Sequence, residues 1–444
     1  MLNVLTNRTY RHLFAAQVIA LVGTGLATVA LGLLAYEIAE GDAGAVLGTA
    51  LAIKMVAYIV IAPAIGAYAD RLPRKALLVT MDVVRAVVAM TLPFVDAVWQ
   101  IYLLIFLLQS ASAAFTPTFQ ATIPDILPNE EEYTTALSLS RVAYDLESLF
   151  SPILAAALLT VISFHWLFAG TSVGFALSAM LVVSSVLPHR EAAKPIFESV
   201  WRKTTRGARI YLKTPRLIGL LAVTLAAAAG SAMVIVNTVV IVKGMGRSQE
   251  DVALALAAYG GGSMLAALML PRVLRSISDR SAMITGAFLL TATLSVFAVM
   301  TLGTAGEIAW PFLLAGWLVL GVTFSLSVTP GGRLLRRSSN EGDRPAVFAA
   351  QFALSHVCWL VAYPVAGLIG ASSGMGVAFL ALAAIAASGA TSALWRWPKI
   401  DPRQIAHEHP ELPSDHQHMI EHGARGHSHD YVIDDLHGDW PRRG

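Results

Sequence analysis

Charged residues are scarce in this chain of 444 residues: Asp, Glu, Lys and Arg together make up 14%, against about a quarter in soluble globular proteins. A soluble chain so poor in charge cannot cover its surface with polar groups. Cysteine is almost missing, Cys358 being the single one, which excludes a disulfide framework. Glycine is scattered without a collagen-type period, and polarity is too low for a disordered chain. No Walker A loop is present, so ATP hydrolysis within this chain is not expected. Neither a Ser, His and Asp constellation nor a cysteine cluster stands out, so no enzyme and no resident cofactor are expected. What is abundant is apolar: 56% of the residues are hydrophobic and the mean hydropathy is +0.64. The class that remains is a polytopic helical membrane protein.

Apolar stretches of about twenty residues recur, each long enough to cross roughly 30 Å of hydrocarbon as a helix. Spans are expected near 12–36, 45–69, 77–96, 98–123, 134–159 and 163–187, then near 216–243, 251–271, 281–304, 310–330, 345–370 and 374–396. This predicts an all-α membrane protein with twelve transmembrane helices in two six-helix bundles, 1–187 and 216–396. A polar linker, 188–215, joins the bundles, and a tail, 397–444, follows them. The runs are continuously apolar and lack the ten-residue alternation of a β-barrel. The first is too long for a cleavable signal. With the N-terminus in the cytoplasm, 26 of the 31 Lys and Arg residues fall in cytoplasmic segments and only Lys243 and Arg247 on the far side. Positive charge resists translocation, so both termini are expected in the cytoplasm, with the chain in the inner (cytoplasmic) membrane.

The halves are weakly self-similar. Gly66-x-x-x-Asp70-Arg71-x-x-Arg74-Lys75 follows the second span; at an offset of 201, Arg71 and Arg74 fall on Arg272 and Arg275. At an offset of 211, Asn129-Glu130-Glu131-Glu132 falls on Asn340-Glu341-Gly342-Asp343. Duplicated six-helix units enclosing a midplane site are a transporter architecture. The first of these segments resembles the loop signature of the major facilitator superfamily, with Pro73 where glycine is usual. The resemblance implies that Gly66, Asp70, Arg71, Arg74 and Lys75 latch the two halves in one conformation; a simpler reading is a basic topology anchor. Asp82-Val-Val-Arg85 and Pro124-Asp125-Ile-Leu-Pro128 resemble the multidrug and siderophore exporter branch, which implies that Asp82 and Arg85 support the latch. Ser151-Pro152-Ile-Leu-Ala155-Ala156 resembles a weakened antiporter motif. The arginine that precedes Gln-Gly in the fourth span of proton-coupled drug exporters is here Phe106, before Gln109-Ser110, so coupling through that arginine is not available.

A charge at membrane depth is costly unless it is paired or faces water. Arg141 and Asp145 are four residues apart on the fifth span and share a helical face. Asp145 lies about 16 Å into the membrane; it and Glu147, which projects from a different face, are candidates to bind a cation or exchange a proton, or else are members of structural ion pairs. At the offset of 211, Asp145 maps onto His356 and Glu147 onto Cys358. Carboxylate, imidazole and thiol are all transition-metal ligand types, although a lone His or Cys in a helix is more often packed or hydrogen-bonded. Lys54 is either a counter-charge in the cavity or a snorkelling side chain. Gln17, Gln109 and Asn237 line the cavity or bond between helices.

After Pro398 the composition changes. Residues 399–444 hold eight of the twelve histidines: His407, His409, His416, His418, His422, His427, His429 and His437. Six of them form His-x-His pairs, among nine acids and five basic residues. Such a segment cannot build a core and is expected to be disordered without a ligand. Imidazoles near carboxylates suit Ni²⁺, Co²⁺, Zn²⁺ or Cu²⁺; a pH-responsive tail is the other option. An exporter-branch facilitator with this tail resembles the bacterial nickel-resistance permeases. The resemblance implies export of Ni²⁺ or Co²⁺ against protons, with the tail collecting metal. A drug, organic-cation or siderophore exporter whose tail only buffers or senses metal is the second expectation, and a metal sensor or scaffold that transports nothing is the third. The expected partners are the lipid bilayer, the metal or small-molecule substrate and protons, with no nucleic acid, the chain acting as a monomer.

Overall fold

The computed structural model describes residues 2–68, 73–187, 200–303, 308–340, 343–401, 404–408, 427–434 and 436–441. The first half holds α1 (Arg8–Ala39), α2 (Ala43–Tyr68), α3 (Arg74–Thr91), α4 (Val98–Ile126), α5 (Glu130–Leu159) and α6 (His165–Ser184). After the linker helix α7 (Val200–Lys213), the second half holds α8 (Pro215–Gly244), α9 (Gln249–Val273), α10 (Asp279–Gly303), α11 (Trp310–Val328), α13 (Arg344–Ser373) and α14 (Met375–Arg396), with a short α12 (Gly331–Arg337) after α11. Among the described residues, ten apolar helical stretches are long enough to cross a membrane, and the first, Arg8–Ile61, comprises α1 and most of α2. Among the described residues of α5, a shorter apolar stretch covers Phe150–Leu159. Apart from a two-stranded ladder in the tail, the described chain is helical, a multi-pass membrane protein.

Local chemistry sets the helix boundaries. Asn7 accepts from the Tyr10 backbone N–H at 3.1 Å and starts α1. Ser248 and Asp251 cap α9 reciprocally, satisfying N–H groups that have no partner within the helix. Pro215 and Pro311 sit in the first turns of α8 and α11, where a missing N–H costs nothing. Large apolar side chains remain exposed around the bundle, among them Val60, Trp166, Leu268 and Val299. In water such a surface would mark an interface; here it is the face presented to lipid. The interior is built differently. Ala226–Ala229, Gly230 and Ser231 are buried on α8, and small residues of this kind allow the close helix approach that replaces hydrophobic drive inside a bilayer.

Among the described residues two helix pairs make the main contacts between the halves: α2 packs on α13, and α5 packs on α9, with smaller contacts of α1 and α2 on α8. Because α2 and α9 are the second helices of their halves, and α5 and α13 the fifth, exchanging the halves interchanges the two contacts. This is the expected internal repeat in three dimensions. The α2–α13 seam is tightest toward the ends of the helices away from the termini. There a Cβ on Gly48 would stand 2.6 Å from the Tyr363 carbonyl oxygen, and Asn237 of α8 donates to the Ala366 carbonyl at 2.9 Å.

The linker and tail depart from the expectation of featureless polar segments. α7 buries Ile210 and Tyr211 and exposes Arg209 and Lys213, an amphipathic helix lying against α13 and the start of α8. In the tail, β1 (Gln404–His407) pairs antiparallel with β2 (His427–Asp430), His407 facing His427 across the ladder. The expectation of a disordered tail does not describe these residues. Buried Tyr431 and Ile433 join the apolar core that contains the bundle, which supplies the burial that the tail cannot make by itself.

Candidate functional site

At mid-depth, polar groups of both halves converge. Lys54 of α2 and Glu147 of α5 act on one another through their charges, and Lys54 also acts on His356 of α13. Among the described residues, Lys54 and Glu147 make no direct ion pair. Lys54 points inward, lining a cavity of about 30 Å³ together with Thr24, Thr28, Gln109 and Ser112; a space of that size and polarity suits one water. Glu147 lies beside α1, its Cγ 3.5 Å from where a Cβ would stand on Gly25. The glycine leaves room for the Ser151 side chain of α5, which a Cβ would overlap, and Glu147 sits beside it in ordinary contact. His356 directs Nδ1 to the Phe352 carbonyl at 2.7 Å and stacks on Tyr58 of α2, with ring centroids 5.2 Å apart and planes 11° from parallel. The imidazole thus touches the opposite half.

The remaining intramembrane candidates separate by position. Arg141 and Asp145 lie on α5, but their side chains fall outside the described residues. Cys358 packs toward α8, its thiol near the Leu354 and Leu221 carbonyls, away from the Tyr58–His356 stack; a two-residue step on a helix turns a side chain by about 200°. Gln17 accepts from Ser140 of α5 at 3.0 Å, so Gln17 and Asn237 join helices, whereas Gln109 lines the small cavity.

The latch candidates divide in the same way. Gly66 lies near the end of α2, and Asp70 and Arg71 fall outside the described residues. Arg74 pairs with Asp125 at the end of α4, and Lys75 donates to the Ser185 carbonyl at 2.9 Å. Asp82 and Arg85 are paired inside the first half. Asp82 accepts from Ser178 at 2.7 Å, and the Arg85 guanidinium lies over Phe115 and Phe175 at 4.1 and 4.5 Å. They bind α3 to α4 and α6, about two turns of helix beyond Lys75.

Beside the helix ends that carry both termini, the tail gathers histidines. His409, His416, His418 and His422 fall outside the described residues. His407, His429 and His437 each offer a nitrogen, all within 4.8 Å of one another, while His427 is buried beside them, its ring 4.6 Å from that of His407. The strand explains the grouping: residues two apart point to the same face, and His407 stands opposite His427. Burial and the neighbouring imidazoles of His429, His437 and His427 push His407 down to about 4, against a backbone hydrogen bond to Ile405 that favours its charged form. It is therefore neutral at pH 7, the form in which imidazole binds a metal. Burial raises the Asp434 carboxyl, but hydrogen bonds from the His437 ring and backbone outweigh it and leave it below its ordinary value.

Three participants were not legible beforehand. Tyr58 is one aromatic in a long apolar run. Asp434 is one of nine tail acids. Arg216, 1% exposed, had no mark beyond its charge, yet it reaches Asp401 at 3.5 Å, the Tyr431 carbonyl at 3.2 Å and the face of Trp440.

Comparison with known proteins agrees with this architecture. The profile of the Major Facilitator Superfamily matches residues 13–306 and, again, 220–421. Macrolide efflux protein A of Streptococcus pyogenes is 25% identical over 181 residues, 40% of this chain and 44% of that protein. The MFS-type transporter YfiS of Bacillus subtilis is 28% identical over 124 residues, 28% of this chain and 30% of that protein. The chain thus aligns with less than half the length of each. A crystal structure of a nucleoside transporter superposes with a TM-score of 0.68 at 15% identity, covering 88% of this chain and all of that one, which shows the shared fold. With two six-helix halves, crossed α2–α13 and α5–α9 seams and a profile match along most of its length, the chain belongs to the Major Facilitator Superfamily, a family of transporters and not of enzymes.

Proposed function

We propose that this protein is a secondary active exporter of a divalent transition metal, Ni²⁺ or Co²⁺, working by alternating access against protons. The observation that carries this reading is the convergence of His407, His429 and His437 at the helix ends bearing both termini, which we take to be the cytoplasmic face of the inner membrane. There the tail collects metal and hands it to the cavity. Support inside the membrane comes from Glu147 and His356, a carboxylate and an imidazole on opposite halves, and from Asp145, one face away from Glu147 on α5. Metal and protons would compete for the two carboxylates, and Lys54 would neutralise the cavity when neither is bound. Asp70, Arg71, Arg74 and Lys75 would latch the halves between transport steps.

Inverted membrane vesicles test this. Radiolabelled Ni²⁺ or Co²⁺ is expected to accumulate inside them, faster with an acidic lumen, and Asp145→Asn is expected to abolish accumulation with the protein still in the membrane. Undiminished accumulation by that variant refutes the assignment of Asp145; no accumulation of either ion by the unaltered protein refutes metal export.

The second reading keeps the fold and changes the cargo to a bulky organic molecule. It is favoured by the likeness to macrolide efflux protein A. Deleting residues 400–444 separates the two: unaltered metal tolerance together with new drug sensitivity in a strain lacking the whole protein supports organic export.

A further inference from the structure

Three of the tail histidines are held in one tautomer. His407 directs Nδ1 to its neighbour Ile405's carbonyl at 2.8 Å, His429 to the Asp430 carbonyl at 3.0 Å, and His437 to Asp434 Oδ1 at 2.8 Å. An oxygen of these kinds accepts but does not donate, so in each neutral imidazole the proton sits on Nδ1 and the lone pair on Nε2. The Nε2 atoms of His407 and His437 then face each other at 3.1 Å. Two lone pairs at that distance repel unless a proton or a cation lies between them. Bonds of about 2.0–2.1 Å from one metal to two imidazoles at angles between 90° and tetrahedral place the nitrogens about 2.8–3.4 Å apart, and the observed spacing falls within that range. Asp434 is itself fixed, accepting from the backbone N–H groups of Leu436 and His437 at 2.9 and 2.8 Å. A carboxylate that orients a histidine in this way is the usual outer support of a metal ligand.

The same segment is fastened to the joint between α7 and α8. Lys213, at the end of α7, donates to the Gly438 carbonyl at 2.7 Å and pairs with Asp439 at 2.8 Å. Arg216, in the first turn of α8, holds the Tyr431 carbonyl and lies under Trp440. A cleft of about 180 Å³ remains between α7 and the tail, with Arg206, Lys213 and Asp434 on its walls. α7 is tied in turn to the second half, through Arg206 to Asp343 at 2.6 Å and through Tyr211 to Gln351 of α13. The linker between the halves is therefore in direct contact with the segment that carries His437.

We propose that His407, His429 and His437 bind one divalent first-row transition-metal ion through Nε2, and that the occupied site fastens the tail onto the α7–α8 joint, making the linker responsive to metal. The three ligands come from β1, from β2 and from the segment after it, so one ion cross-links three stretches of chain. Asp434 acts as a positioning residue for His437. This rests on the reading of the tail as metal-binding, not on what the bundle transports.

The test uses the full-length protein in detergent with Co²⁺ as the probe, read by its visible absorption and by hydrogen–deuterium exchange of residues 200–216 and 427–440. Co²⁺ is expected to give an imidazole-bound absorption band and to slow exchange several-fold in both segments. The pair His407→Ala and His437→Ala is expected to lose one tightly bound ion, the band and the slowing, with the melting temperature of the bundle unchanged. Asp434→Asn is expected to weaken Co²⁺ binding about 10–100-fold while exchange of the metal-free protein stays as it was. A band of full intensity in the paired variant assigns the ion to other histidines and overturns the site; binding without slowed exchange overturns the fastening. The outcomes are independent of transport. A protein that shows the band and the slowing but accumulates no metal in vesicles refutes export and leaves the site standing. One that exports while the paired variant keeps its band refutes the site alone.

Discussion

Tyr58 of α2 and His356 of α13 stack across the boundary between the two halves, 5.2 Å between ring centroids. Such a contact has to be broken whenever α2 and α13 separate at this depth, so it biases the exchange between access states. An aromatic pair contributes about 0.5–1.5 kcal/mol beyond its area, which corresponds to a factor of roughly 2–10 in a population. Tyr58→Ala is expected to change the transport rate by that factor at unchanged membrane abundance, and Tyr58→Phe to retain the native rate. Vesicle flux measured for both variants checks this; equal effects of Ala and Phe would assign the role to the hydroxyl instead.

Lys54 of α2 and Glu147 of α5 act on one another through their charges without a direct ion pair among the described residues. Removing either charge leaves the other uncompensated at mid-depth, and removing both does not. Lys54→Met and Glu147→Gln are each expected to impair flux strongly, and the double variant to fold and melt closer to the native protein than either single one. Coupled neighbours show interaction energies of about 0.5–3 kcal/mol. Melting temperatures of the four proteins close the cycle, and strictly additive shifts would show that the two side chains are independent.

Gly48 lies against the backbone of α13, with no room for a Cβ beside the Tyr363 carbonyl oxygen. Gly48→Val is expected to force α2 away from α13 and to destabilise by about 1–3 kcal/mol, the usual cost of overpacking. Gly41, around which nothing lies within 4 Å of a Cβ, is the control, and Gly41→Ala is expected to leave the melting temperature within a degree or two of native.

Asp82 is fully buried with Arg85. Asp82→Ala leaves that guanidinium without its counter-charge and is expected to cost about 3–5 kcal/mol, as broken buried pairs do. Ser178→Ala removes one hydrogen bond and is expected to cost about 1 kcal/mol. Yield and melting temperature in detergent check both. A milder loss for Asp82→Ala than for Ser178→Ala would contradict the packing role.

Class and span arrangement were readable because bilayer thickness and the scarcity of charge act on the chain locally, one apolar run at a time. The repeat was readable at the loops, where Asn129 and Asn340 start equivalent turns. What followed from folding is which intramembrane groups meet. Periodicity put Asp82 and Arg85 one turn apart, but only packing of α3 on α6 brought Ser178 and Phe175 to them. The offset of the repeat paired Glu147 with Cys358, yet in the folded protein it is Lys54 that answers Glu147, and Cys358 faces α8. Symmetry relates equivalent positions and does not bring them together.

The tail shows the division most clearly. Its composition by itself determined that it cannot build a core and that its side chains suit transition metals. Only the tertiary structure decided that some of it is ordered, because the burial that orders Tyr431 and Ile433 is supplied by α7, α8 and buried Arg216, residues two hundred positions away. Chemistry of a segment can be read from its own residues; a fixed geometry needs the surface it rests on.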